Sequence, residues 1–224
     1  MSAPTFRTAR VVEVLGGLRE YARDADAAAK ARVQARADEL GSRVTTAEKY
    51  ELYGEAPPLA VSGEVGELLY VLALARRAER VVEFGASHGI STIYLAAALR
   101  DAGRGRLVTS EILPGKAAAT ARNLAAAGLD DLVEIRVGDA RETLRDVAGP
   151  VDLLFLDGRN DLYLELLRML EPALAEDAIV AADLSVDDPD LVGYLGYVRG
   201  ADGPYLSSTL VSDAGLEVSH RRLV

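Results

Sequence analysis

A chain of 224 residues, half of them hydrophobic, is long enough to bury one sizeable core with a small appendage. Its net charge of −10 argues against nucleic acid as the main partner, because a surface that tracks a phosphate backbone is normally basic. Cysteine is absent, which removes disulfides and thiolate metal sites and suits a reducing compartment.

In chain order, the opening MSAPTFRTARVVEVLGG lacks the long apolar stretch of a signal peptide, and no apolar run reaches membrane-spanning length. A cytoplasmic protein with no membrane partner is the expectation. Residues 8–40 are helical by composition. The part from Asp24 to Leu40 is nearly all good helix formers, with mostly alanine at its apolar positions. Such a helix packs weakly alone and needs another surface, either the main domain or a second copy of the chain in a homodimer. Residues 41–60 contain Gly54, Pro57 and Pro58 and read as a connection or lid-like loop. A helix over 61–76 follows, with Ser62 as its cap and Val65, Leu68, Leu69, Leu72 and Leu74 on its buried face.

From residue 80 the pattern alternates. Strands at 80–84, 106–110, 132–137, 151–156 and 178–182 are each followed by a helix, at 90–101, 114–127, 140–147, 161–174 and 188–199. Pro114 opens the second of these helices and Gly128 stops it. Alternation of this kind gives right-handed βαβ units and a mostly parallel sheet with helices on both faces. Residues 204–211 and 215–222 read as two more strands joined by a tight SDAG turn, hence an antiparallel hairpin at or near the sheet edge. The economical division is an N-terminal helical extension over 1–58 and an α/β domain over 59–224.

Everything is organised around VVEFGASHGIST at 81–92, a strand, a glycine turn and a helix start. Glycine lets a backbone approach a ligand closely, and a helix start offers unpaired N–H groups. In open α/β sheets, ligands bind beyond the carboxyl ends of the strands. There the chain places Glu83, Gly85, Ser87, His88 and Gly89, then Glu111, then Gly138, Asp139 and Ala140, then Asp157, then Asp183 and Leu184. Acids stand at all five ends. Glu111 is placed for a ribose diol and Asp139 for adenine, while acids near strands one and four suit an ammonium group. A diphosphate would be repelled, and the turn GASHG lacks the GxGxxG spacing of a dinucleotide site. S-adenosylmethionine, with adenine, ribose, an amino acid and a sulfonium but no phosphate, matches better.

On these residues, and on SGEVGELL (62–69), VTSEI (108–112), GDARETL (138–144), VDLLFLDGRNDLY (151–163), AIVAADLS (178–185) and SDAGLEVSHR (212–221), the chain resembles the class I S-adenosylmethionine-dependent O-methyltransferases. It is most similar to the bacterial branch of the catechol and caffeoyl-CoA O-methyltransferase family. The resemblance implies a Rossmann-like, seven-stranded sheet ending in an antiparallel hairpin, commonly in a homodimer. It implies methyl transfer to a hydroxyl of a small, aromatic acceptor, and a cofactor pocket lined by Glu83, Gly85, Ser91, Glu111, Asp139, Ala140 and Asp157. Members that use a divalent cation carry an Asp after strand four and an Asp-Asn pair after strand five. Asp157 and Asp183 match the acids, but Leu184 stands where the Asn belongs, so Mg²⁺ is a candidate cofactor with a reduced ligand set. Replacing Leu184 by Asn is expected to restore a donor. The family's lysine three residues past the first Asp is Asn160 here.

Asp157, His88 and Asn160 are therefore the candidate catalytic residues. His88 is either a base near neutral pH or a cover for the cofactor. Tyr194, Tyr197 and Tyr205 are either an aromatic acceptor wall or packing, and the run Asp187, Asp188 and Asp190 reads as a solvated helix start. Two other function classes stay open: a degenerate S-adenosylmethionine-binding module or regulatory subunit, and a nicotinamide-dependent oxidoreductase.

Overall fold

The computed structural model describes residues 3–54, 61–185, 188–210 and 215–222, with the side chain of Asp24 left aside. Seven strands form one sheet: β1 (Arg80–Phe84), β2 (Arg106–Glu111), β3 (Val133–Val137), β4 (Val151–Leu156), β5 (Leu174–Asp183), β6 (Tyr205–Leu210) and β7 (Leu216–Arg221). Their order is β3-β2-β1-β4-β5-β7-β6. β1 to β5 run parallel, and β7 inserts antiparallel between β5 and β6. The SDAG turn at 212–215 falls largely outside the described residues.

Alternate residues of each central strand point to opposite faces, as the two-residue period of a strand requires. Val81, Leu107, Leu153, Phe155 and Ala181 join one apolar cluster. Val82, Phe84, Leu154, Leu156 and Val180 join another. The first cluster is covered by α1 (Ala9–Leu40), α3 (Gly63–Arg76), α4 (Ile90–Ala102) and α5 (Pro114–Ala127). The second is covered by α6 (Ala140–Thr143), α7 (Tyr163–Leu170) and α8 (Val192–Val198). Ser62 caps α3, its hydroxyl accepting from the Val65 N–H, and Pro114 and Gly128 bound α5.

Three helices are shorter than the sequence suggests. The helix expected at 140–147 is one turn, Ala140–Thr143. The one expected at 161–174 is α7 flanked by 3₁₀ turns at Asn160–Leu162 and Glu171–Ala173, the second opened by Pro172 near its start, which cannot continue α7's hydrogen bonding. The released segment lengthens β5 back to Leu174. The last, α8, is likewise preceded by a 3₁₀ turn at Pro189–Leu191.

The largest departure lies in 41–60, read from the sequence as a loop. It contains α2 (Thr46–Tyr53), capped by Thr45, whose hydroxyl accepts from the Glu48 N–H; Pro57 and Pro58 lie outside the described residues. The first half of α1 buries Val11, Leu15 and Leu18 in the same cluster as α3 and α4. Its second half runs on past them and carries α2. No helix among the described residues is long and apolar enough to cross a membrane.

Candidate active site

Sheet order reverses between β1 and β4, because β1 leads to β2 on one side and β4 to β5 on the other. Ligands bind at such a switch point. A cavity of about 340 Å³ opens there, enough for a small ligand. Of the residues expected in a site, Gly85, Ser87, His88, Ser91, Glu111 and Asp139 line it. So do Ala140, Asp157, Asn160 and Asp183.

Glu83 and Gly89 do not line it. Glu83 is fully buried, and its Oε2 accepts from the hydroxyls of Thr92 and Thr109, at 2.6 Å each. Its Oε1 is buried without a partner. Burial pushes this carboxyl up, against the pull of its hydroxyl neighbours Ser91, Thr109 and Thr92. Gly89 caps α4 with φ 90° and packs against Thr120.

The glycine turn works differently from its sequence reading. Gly85 has φ 98°, and a Cβ there would sit 2.6 Å from the Asp157 carbonyl oxygen. Its missing side chain is thus filled by the chain leaving β4, not by a ligand. Gly158 meets β1 in the same way, since a Cβ there would lie 2.4 Å from the Phe84 ring. The ends of β1 and β4 are locked together, which fixes where Asp157 stands.

The rest of the turn is held from three sides. Glu111 accepts from the Ser87 N–H at 2.8 Å and from the Leu113 N–H at 2.9 Å. Thr120 donates to the Ser87 carbonyl, and Asn123 donates to the His88 carbonyl. Glu111 also lines the cavity, where its carboxylate can meet a ligand hydroxyl. Burial raises the Glu111 carboxyl. Asp139 caps α6, and its carboxylate takes a forked contact from Arg141, which holds its pKa below the usual carboxylate range.

The far end of the cavity is acidic. Burial, then the charges of Asp183 and Glu83, push the Asp157 carboxyl well above its ordinary value. Asn160 is buried and donates its amide to Asp188 at 3.0 Å. An amide holds no proton-accepting lone pair of useful basicity, so Asn160 ties the β4 exit to the segment after β5 and cannot act as a base. Asp188 is accordingly no simple solvated start: it also caps the 3₁₀ turn at Pro189–Leu191. Asp187 lies outside the described residues. The His88 ring packs against Tyr21 of α1, with centroids 5.5 Å apart.

Leu184 supplies no metal donor at this site. Its side chain is buried in the apolar cluster under α7 and α8, and it is Asp183 and Ser185 that line the cavity. Two carboxylates remain, and no group of three or more acidic, His or Cys side chains among the described residues is arranged to hold a metal. The donor set does not fit the three-ligand cation site of the resemblance. Leu184→Asn would place an amide where an apolar side chain now packs, a cost to set against any donor it restores.

Tyr194, Tyr197 and Tyr205 are packing. Tyr194 is fully buried against Tyr163, while the hydroxyls of Tyr197 and Tyr205 both donate to Glu171. The 41–60 segment lines the cavity through α2, with Ala47, Tyr50, Glu51 and Tyr53, whereas α8 contributes no residue to it. Ile112, Arg141 and Arg159 also line it. Sequence reasoning missed them; Ile112 alone carried a signal, as an apolar residue directly after the ribose-type acid.

A family model described as a methyltransferase domain matches residues 82–183. The chain is 32% identical to cofactor-bound Rv0187 from MTB, a solved structure, over 73% of this chain and 82% of that one, with a TM-score of 0.65. The chain belongs to the class I S-adenosylmethionine-dependent O-methyltransferases. The O-methyltransferase TomG from Streptomyces achromogenes, solved in complex with SAM, is 28% identical over 87% of this chain and 89% of that one, with a TM-score of 0.65. A catechol O-methyltransferase of Mycobacterium tuberculosis is 40% identical over 131 residues, and the chain spans 58% of that relative's length.

For this family the buried Glu83 is the informative residue. Enclosed behind the cavity, and close enough to Glu111 and Asp157 to feel one and act on the other, it adds negative charge to the site, which favours a cationic ligand. The methyl donor's ammonium and sulfonium are positive, and the acids that line the cavity, with Glu83 behind them, fit such a ligand.

Proposed function

We propose that this protein transfers the methyl group of S-adenosylmethionine to a hydroxyl of a small aromatic molecule, without a bound cation. The observation that carries the reading is the cavity at the switch point, with acids from β2, β3, β4 and β5 around it and Glu83 enclosed behind it. When bound, S-adenosylmethionine supplies an electrophilic methyl on a positive sulfur. Glu111 holds the ribose diol and Asp139 the adenine edge. Asp157 at the cavity wall, with the charge of Glu83 behind it, gives the negative field that answers the positive amino group. Asp157, raised by its surroundings, takes the acceptor's hydroxyl proton on a carboxylate oxygen, and a carboxyl shifted toward neutrality is suited to that. His88 covers the site beside Tyr21. Alignment of the acceptor oxygen does most of the work.

The N-terminal helices over 1–58 serve as cover and as the contact in a homodimer, and the 59–224 domain carries the chemistry in a cytoplasmic setting. Light scattering at micromolar concentration tests the dimer, and a monomer refutes it. The catechol named for the mycobacterial relative is the first acceptor to try. Methyl transfer to catechol or other hydroxylated aromatics, changed less than about twofold by EDTA, is the expected result. Turnover abolished by EDTA and restored by Mg²⁺ would overturn the cation-free reading. Binding of the product S-adenosylhomocysteine with no turnover across the panel would favour the degenerate module.

A further inference from the structure

Ala47, Tyr50 and Glu51 lie three and four residues apart, so they share one face of α2, and all three line the cavity. α2 is therefore its roof. The roof hangs from the distal half of α1, where Arg32 donates to the Leu52 carbonyl at 3.0 Å and Arg36 pairs with Glu48 at 2.8 Å. Tyr53 is buried beside Tyr50, the rings 5.7 Å apart. On the side of the sheet, the Tyr50 hydroxyl donates to the Gly158 carbonyl at 2.7 Å.

That carbonyl is a fixed point. Gly158 directly follows Asp157, and it is wedged against Phe84 as described above. The bond thus joins a roof carried on a long helical arm to the most rigid part of the floor, one residue from the acid at the reacting end. Burial, then the nearby negative charge of Asp157, holds the Tyr50 hydroxyl protonated well above its ordinary value. It stays a donor at any working pH and is no base.

Resting on the methyltransfer reading, we propose that Tyr50 is a positioning residue that latches α2 over Asp157 and so sets the space in which the acceptor's hydroxyl is held. The latch acts on the acceptor more than on the methyl donor, because Glu111 and Asp139 anchor the donor at the other strand ends.

Tyr50→Phe removes the bond and keeps the ring, and Tyr50→Leu removes both. In the full chain with S-adenosylhomocysteine bound, amide exchange of residues 46–53 should quicken about tenfold in Tyr50→Phe, while residues 9–22 keep the wild-type rate. With catechol as probe acceptor, KM should rise about tenfold with kcat within about threefold, and S-adenosylhomocysteine affinity should change less than about twofold. Tyr50→Leu should exceed Tyr50→Phe on both readouts. Unchanged exchange in 46–53, or a fall in kcat at constant KM, overturns the proposal. So does quickened exchange throughout the chain, which would make Tyr50 a general stability residue. If the wild type does not methylate catechol, it is the acceptor reading that fails, and the exchange comparison still decides the latch.

Discussion

Two carboxylate sites stand on neighbouring strands, one residue apart in register, since Ala182 pairs with Glu217 and Asp183 with Leu216. Glu217 is fully buried, and its two oxygens accept from Arg199 twice, from Ser207 and from Thr209, at 2.6–2.8 Å. Burial works to raise its pKa, yet those donors outweigh it and the net shift is downward. Asp157, which faces Asp183 across the cavity, shows the opposite: burial and a second negative charge push its carboxyl up. The same functional group is thus stabilised in one place and strained in the other. Where the chain supplies its own donors the acid is structural. Where a buried acid is set against another acid, a proton or a ligand has to offset the charge, which is the kind of place proposed above for the chemistry.

Breaking the strained site should have the largest effect. Asp157→Asn is expected to lower kcat/KM about a hundredfold, or about 2.7 kcal/mol, through loss of the proton acceptor. Its stability at neutral pH should hold or rise. A carboxyl whose folded pKa is raised disfavours the folded state while charged, and that cost disappears as pH falls below the folded value; the amide mimics the neutral form. Denaturant titration at pH 7 and pH 4 checks this, and a large loss of stability at pH 7 would show that the pair is not strained.

The satisfied site should respond the other way. Glu217→Gln should leave turnover intact and cost about 2 kcal/mol of stability, less than a fully buried ion pair because the Arg199 side chain is 44% exposed. For a lowered pKa, the contribution is complete above the ordinary value of 4.5 and fades as pH falls through the folded one. The gap between wild type and variant should therefore close in acid. A gap that persists there would mean that packing, and not charge, holds Glu217.

How much of this was readable beforehand follows the same divide. The alternating strands and the acids at their ends were legible, because strand periodicity and position in an α/β sheet need no tertiary detail. Glu83 was legible as a site acid but not as one withdrawn behind the cavity wall, which depends on Thr92 and Thr109 reaching it from two other elements. The role of Gly85 was misread for a similar reason: its neighbour, the Asp157 carbonyl, is distant in sequence. α2 was missed because the prolines at 57 and 58 made the whole of 41–60 look irregular, although Thr45 and Glu48 form a helix-start signal. Tyr50 had no signal at all, since its partner is a backbone carbonyl on another strand's exit.

Whether S-adenosylmethionine occupies the cavity with Glu111 as a direct contact is tested most directly by calorimetric titration of S-adenosylhomocysteine into wild type and Glu111→Ala. Two charge-assisted hydrogen bonds to the ribose are worth roughly 1.5–3 kcal/mol each before water compensates. Saturable binding to one site per chain is predicted for the wild type, at least about tenfold weaker in the variant, whose circular dichroism should remain that of a folded protein. Equal affinity in both proteins, or heat from NAD with none from S-adenosylhomocysteine, would contradict it.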